Sequence, residues 1–174
     1  MRLFSASVEM YPVKNKYMTI PNTVYASLTF ENHEEMQDVL KGLCKKLTYK
    51  SNAVVVNDPC INSYRDYFEK TDICVSNERG ILFAIDITDS EMNQVISNWG
   101  FFEIGVDIYF CENRDDFESL HFDKIVRLKD IISLVVNDRI DLVLHQELDN
   151  TVVIVCRKPL WNNIWTILKD CIIF

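Results

Sequence analysis

The side chains able to do chemistry are three histidines, six cysteines and a concentrated set of carboxylates. His33, His121 and His145 could each serve as a general base, because an imidazole titrates near neutral pH. Any of them could meet a cysteine in space, but no catalytic partner is identifiable along the chain. His33 falls in the first turn of an expected helix, and His145 continues the outward face of a strand with Asp141. Both therefore read as surface or rim residues. Asp86, Asp89 and Glu91 gather where a strand passes into a helix, with Asp107 outward on the following strand. Oxygen ligands so grouped could hold a hard cation. Acids in a first helical turn also cap the helix and complement its dipole, and that use explains Asp89 and Glu91 without a metal. We expect no metal and no cofactor.

The familiar catalytic loops are absent. Four isolated glycines, Gly42, Gly80, Gly100 and Gly105, cannot form a phosphate-binding loop, a dinucleotide fingerprint or the Gly-x-Ser-x-Gly elbow of serine hydrolases. There is no Cys-x-x-Cys and no His-Glu-x-x-His. His145-Gln146-Glu147 has the His-x-Glu half of a zinc-deaminase signature, but Pro-Cys-x-x-Cys does not follow. No Asp or Glu has a lysine two residues on, which removes the acidic-x-Lys element of many metal-dependent nucleases.

Charge is distributed unevenly. The chain has 18 basic and 26 acidic residues, a net charge of -8. Ten of the acids lie between residues 86 and 123, where Arg114 is the lone base, so this segment carries -9 and the remainder +1. Inside it, Phe102, Ile104, Val106, Ile108 and Phe110 alternate with Phe101, Glu103, Gly105, Asp107, Tyr109 and Cys111, the period-two pattern of a strand. If the second face is uncovered, it offers aromatic anchors among carboxylates, and the acidic connection Cys111 to Asp123 lies beside it. The expected partner-binding set is Glu103, Asp107, Tyr109, Glu112, Asp115, Asp116 and Glu118. Such acids can also serve solubility alone, although that purpose does not require them in one quarter of the chain. Nucleic acid is a poor partner for an acidic surface. The nearest basic run, Lys41, Lys45, Lys46 and Lys50, occupies the polar face and C-terminal end of a helix, where lysine complements the dipole.

These residues need elements to position them. Phe4 to Met10 and Val24 to Phe30 alternate as strands, and Pro12 and Pro21-Asn22 bracket their connection, so they should pair. Asn32 and Glu35 open a helix with Met36, Val39, Leu40, Leu43 and Leu47 on one side. Ala53 to Val56 is a short buried strand, and Ile61, Tyr64 and Phe68 mark a short helical stretch. Asp72 to Ser76 and Ile81 to Ile87 flank a turn at Asn77 to Gly80. Thr88 and Glu91 form a capping box for a helix ended by Gly100. Leu128 to Val135 is a helix, Ile140 to Leu144 and Thr151 to Arg157 are paired strands, and Pro159 opens the last helix. Hairpin followed by helix thus occurs three times, without matching residues that would make a true repeat.

We therefore expect one α+β domain over residues 1–174, an antiparallel or mixed β-sheet of about eight strands built from hairpins, with four to five helices packed on it. The six cysteines are scattered and read as reduced core thiols. With no apolar run of spanning length and no export signal near Met1, the expected location is cytoplasmic and away from membranes. Cys171-Ile172-Ile173-Phe174 fits a prenylation pattern, but it continues an apolar helical stripe and lacks a polybasic second signal. The functional expectation is a small acidic interaction protein of inhibitor or immunity type that neutralises a basic partner such as a nuclease toxin. The alternative is an enzyme or small-molecule-binding domain with a site of dispersed residues drawn from Asp86, Asp89, Asp107, His121 and His145. A structural subunit of a larger assembly would instead expose an apolar patch.

Overall fold

A computed structural model describes residues 3–11, 23–47, 51–57, 64–68, 73–76, 81–98, 106–112, 115, 117, 128–136, 139–148 and 150–171. The three hairpin-then-helix units fold as read. The first is β1 (Leu3–Tyr11), β2 (Thr23–Phe30) and α1 (His33–Lys46), followed by β3 (Ser51–Asn57). The second is β4 (Ile73–Ser76), β5 (Ile81–Ile85) and α2 (Asp89–Asn98), followed by β6 (Val106–Cys111) and α3 (Leu128–Val136). The third is β7 (Leu142–Leu148), β8 (Thr151–Arg157) and α4 (Lys158–Cys171). The expected turn at Asn77 to Gly80, the cap at Gly100, the helical residue Ile61 and the last three residues lie outside the described set.

All eight strands join one sheet in the order β1-β2-β8-β7-β6-β3-β5-β4. Every neighbouring pair is antiparallel. Three connections are crossovers, the one from β3 to β4 passing β5. α1 carries the chain from β2 past β8, β7 and β6 to β3, and α2 carries it from β5 past β3 to β6.

Alternation along each strand sends side chains to two cores. One face, with Val24, Ala26 and Leu28 of β2, Val54 and Val56 of β3, and Val152, Ile154 and Cys156 of β8, lies under α1, α2 and α4. Met36, Leu40, Val95, Ile164 and Leu168 close that core from the helical side. The opposite face, with Ala53, Val55, Tyr109, Val143, Val153 and Val155, is covered by Ile131, Ile132 and Val135 of α3 together with Phe117. Helices therefore lie on both sides of the sheet.

That second layer corrects the expectation for the strand through Asp107. All six residues of β6 are buried, so its polar-looking face does not meet solvent. A central strand covered on both sides need not alternate apolar with polar. His145 and Asp141 likewise share their face with the fully buried Val143, so that face is not outward either. Residues 101 to 105 of the expected strand are outside the described set.

The helix starts behave as their sequences require. Asn32 accepts a hydrogen bond from the Glu35 N–H on its Oδ1 at 2.9 Å. At α2 the box is reciprocal, with the Thr88 N–H donating to Glu91 Oε1 at 2.9 Å and the Glu91 N–H to Thr88 Oγ1 at 3.2 Å. Tyr64 donates its hydroxyl to the Asn98 carbonyl at 2.9 Å, satisfying an acceptor at the other end of α2. Because the box satisfies two donors of α2, Thr88→Ala should destabilise the fold by about 1 kcal/mol in urea unfolding. An unchanged midpoint would mean that α2 is held by packing alone.

Candidate functional site

Antiparallel register decides which chain ends meet. Ser51 at the start of β3 faces Cys111 at the end of β6, and Ala53 faces Ile85 at the end of β5. Leu142, at the start of β7, faces Phe110 on one side and Cys156 of β8 on the other. The residues just beyond these strands, Asp86, Glu112 and Asp141, therefore gather at one end of the sheet. α2 begins there with Asp89. Asp86, Asp89, Glu112 and Asp115 are exposed.

This end is held by specific bonds. Asp86 has φ 56°, in the left-handed region that aspartate tolerates better than most non-glycine residues. Its N–H donates to the Asn52 carbonyl at 2.8 Å, and Ser51 Oγ donates to its Oδ1 at 2.5 Å. Asn52 Oδ1 then accepts the Ile87 N–H at 2.9 Å. The first two residues of β3 thus shape the turn that launches α2. Nearby, Asp141 pairs through Oδ1 with Arg157 Nη2 at 2.9 Å and accepts the Glu112 N–H on Oδ2 at 3.2 Å. Asp141 is a partly neutralised anchor, whereas Glu112 keeps its side chain in solvent.

Two residues of the expected partner-binding set lie elsewhere. Tyr109 is 1% exposed and sits in the core beneath α3, so it cannot serve as a surface anchor. Burial, then the charge of Asp107, pushes its phenol well above the ordinary value. Asp107 is also buried and faces His145 in register. His145 Nδ1 and Asp107 Oδ1 are 2.6 Å apart, with side-chain exposures of 18% and 12%. A carboxylate can only accept, so Nδ1–H donates and Nε2 is the basic nitrogen of the neutral ring. Of the dispersed residues considered for a site, Asp107 and His145 are brought together. Asp86 turns to Ser51 and Glu91 to Thr88 instead. His33 Nε2 lies 2.9 Å from Gln37 Nε2. Among the described residues no group of three or more His, Cys, Asp or Glu side chains could hold a metal ion. Glu103, Asp116, Glu118 and His121 lie outside the described residues.

Residue types alone did not reveal a cavity of about 340 Å³ between the last turns of α1 and the first turns of α2. Its floor is apolar, with Leu47, Met92 and Phe110, and its rim carries Lys41, Lys45, Asp89 and Asn93. Cys44 also lines it, and burial pushes that thiol up to about 12. A thiol so placed stays protonated at neutral pH and acts as an apolar wall, not a nucleophile. The available signal was the four-residue spacing of Lys41 with Lys45 and of Asp89 with Asn93, but their facing positions follow only from the packing of α1 on α2.

The chain matches no family model, no curated protein and no solved structure. Among the described residues no helix is long and apolar enough to cross a membrane.

Buried acids with raised values make an alkaline limit to stability. Burial lifts the Cys156 thiol from 9.0 to about 12, and Tyr109 rises above 10.0. Both groups stay protonated in the folded chain after they would ionise in the unfolded one. Their contribution is full below pH 9 and falls as pH rises from there towards 12. Unfolding midpoints measured against pH should therefore decline above pH 9, and Tyr109→Phe should flatten the part of the decline above pH 10. A slope unchanged by that substitution would show the phenol titrating in the folded state.

Proposed function

We propose that the protein is an interaction protein of inhibitor or immunity type, acting in the cytoplasm, that binds and neutralises a basic partner such as a nuclease toxin. The observation that supports this reading is the register that brings exposed Asp86 and Glu112 to one end of the sheet, where α2 starts with exposed Asp89, while exposed Asp115 follows three residues after Glu112 in the chain. Carboxylates fixed at strand ends form a preorganised negative surface, which steers a cationic partner and sets its orientation. Glu112 and Asp115 keep the role expected of them, and Glu103, Asp116 and Glu118 belong to the same acidic stretch of chain. Asp107 and Tyr109 leave the set, because both are buried and a partner cannot reach them. Asp86 and Asp89 replace them.

Co-expression with the product of the adjacent gene, followed by pull-down, tests the proposal. A basic protein should be captured in low salt and lost progressively in high salt. Glu112→Lys combined with Asp115→Lys should slow association by about tenfold or more at low salt with the circular dichroism spectrum unchanged. Failure to retain any basic protein, or retention indifferent to both salt and charge reversal, would sink the idea.

One observation favours a second reading, an enzyme or small-molecule-binding domain. Asp107 orients His145 as a carboxylate orients the imidazole base of a hydrolytic triad. On that reading His145→Gln abolishes turnover of chromogenic ester or phosphoester substrates and leaves partner capture intact.

A further inference from the structure

Lys41 and Lys45 are one turn apart on α1 and so share a side of the helix. Asp89 and Asn93 stand in the same relation on α2. Because α1 packs against α2, the two pairs meet at the rim of the 340 Å³ cavity. Among the described residues neither lysine forms an ion pair, although the chain has a net charge of -8. Lys45, in the last turn of α1, complements the helix dipole, and without carboxylate partners among the described residues both lysines are also open to an anion at this concave site. With Asp89 counted, the rim carries one net positive charge. Below it lie Leu47, Met92 and Phe110, with the protonated Cys44 thiol.

We propose that this cavity binds a small amphipathic monocarboxylate, its head group held by Lys41 and Lys45 and its aliphatic chain laid on Met92 and Phe110. A single negative charge matches the rim, whereas a dianionic phosphate meets Asp89 and finds no apolar use for the floor. A cation is repelled by the lysines. Asn52 lines the cavity but is committed to the Ile87 N–H, so it is wall and not ligand-binding group. The volume corresponds to on the order of ten waters, which suits a chain of medium length and excludes a long-chain lipid folded inside. In this arrangement the Asn93 amide at the same rim donates to the second carboxylate oxygen. The site is separate from the Asp107–His145 pair, which lies on the other face of the sheet.

Octanoate is the probe, added to full-length protein carrying ¹³C-methyl methionine. The Met92 methyl resonance, assigned by its loss in Met92→Leu, should shift saturably with octanoate. Lys41→Gln with Lys45→Gln should weaken binding by about tenfold or more, because both charge contacts to the head group are lost. Octanol and octylamine should each bind about tenfold more weakly than octanoate to the unaltered protein, a comparison that needs no variant to fold. Absence of a saturable Met92 shift at millimolar octanoate overturns the proposal. So does equal binding of octanol, equal binding by the double variant, or a Met92 shift produced by inorganic phosphate alone.

Discussion

A carboxylate on a strand that is covered from both sides has little water to turn to. Desolvating such a charge costs several kcal/mol unless a partner of matching chemistry lies within reach. Asp107 is in that position on β6, and His145 of β7 stands directly opposite it at hydrogen-bonding distance. The pairing can exist in one register only. A slip of one residue would point His145 into the core beneath α1, α2 and α4 and bring Leu144 or Gln146, neither of them charged, opposite Asp107. The pair thus restricts how β7 can join β6. Since β7 brings β8 with it, and β8 carries β2, the placement of the whole N-terminal hairpin follows from that junction.

The same junction decides what lies at the sheet's end. Antiparallel pairing through β5, β3, β6, β7 and β8 brings three outgoing and two incoming chain ends to one edge. Their polar residues divide between holding the backbone and facing solvent. Ser51, Asn52, Asp141 and Arg157 hold it, each committed to a neighbour within hydrogen-bonding distance. Asp86 does both. Among the described residues the Glu112 and Asp89 carboxylates make no cap or cross-strand bond, and with exposed Asp115 they form a surface and not a scaffold. The cavity beside them arises because α1 ends where α2 begins, leaving the sheet floor open between two helix termini.

Local rules made most elements legible and few of their partners. The Thr88 and Glu91 box, the Asn32 cap and the alternation in β2 and β8 are encoded within a few residues, and each forms as the pattern requires. Polarity on the second face of β6 was misleading because the core that buries it is closed by Phe117 and by the helix of residues 128–136, and that helix carries no local mark of its destination. Its apolar stripe says only that something must be covered. Likewise nothing near His145 names Asp107, 38 residues away, until the strands are in register. The lysines of α1 read correctly as a polar face, but the space beside them depends on α2, whose position is a tertiary fact.

Strand order also bears on how the chain assembles during synthesis. The β7–β8 hairpin, near the C-terminus, is inserted between β2 and β6. Until it leaves the ribosome, the nascent chain can pair β1 with β2 and can gather β3 to β6, but these two pieces have no strand in common. Both β2 and β6 then present open, apolar edges that another chain could extend. The last hairpin therefore acts as the closing segment of the sheet, and the interval before it emerges is when the protein is most prone to aggregate or to need a chaperone.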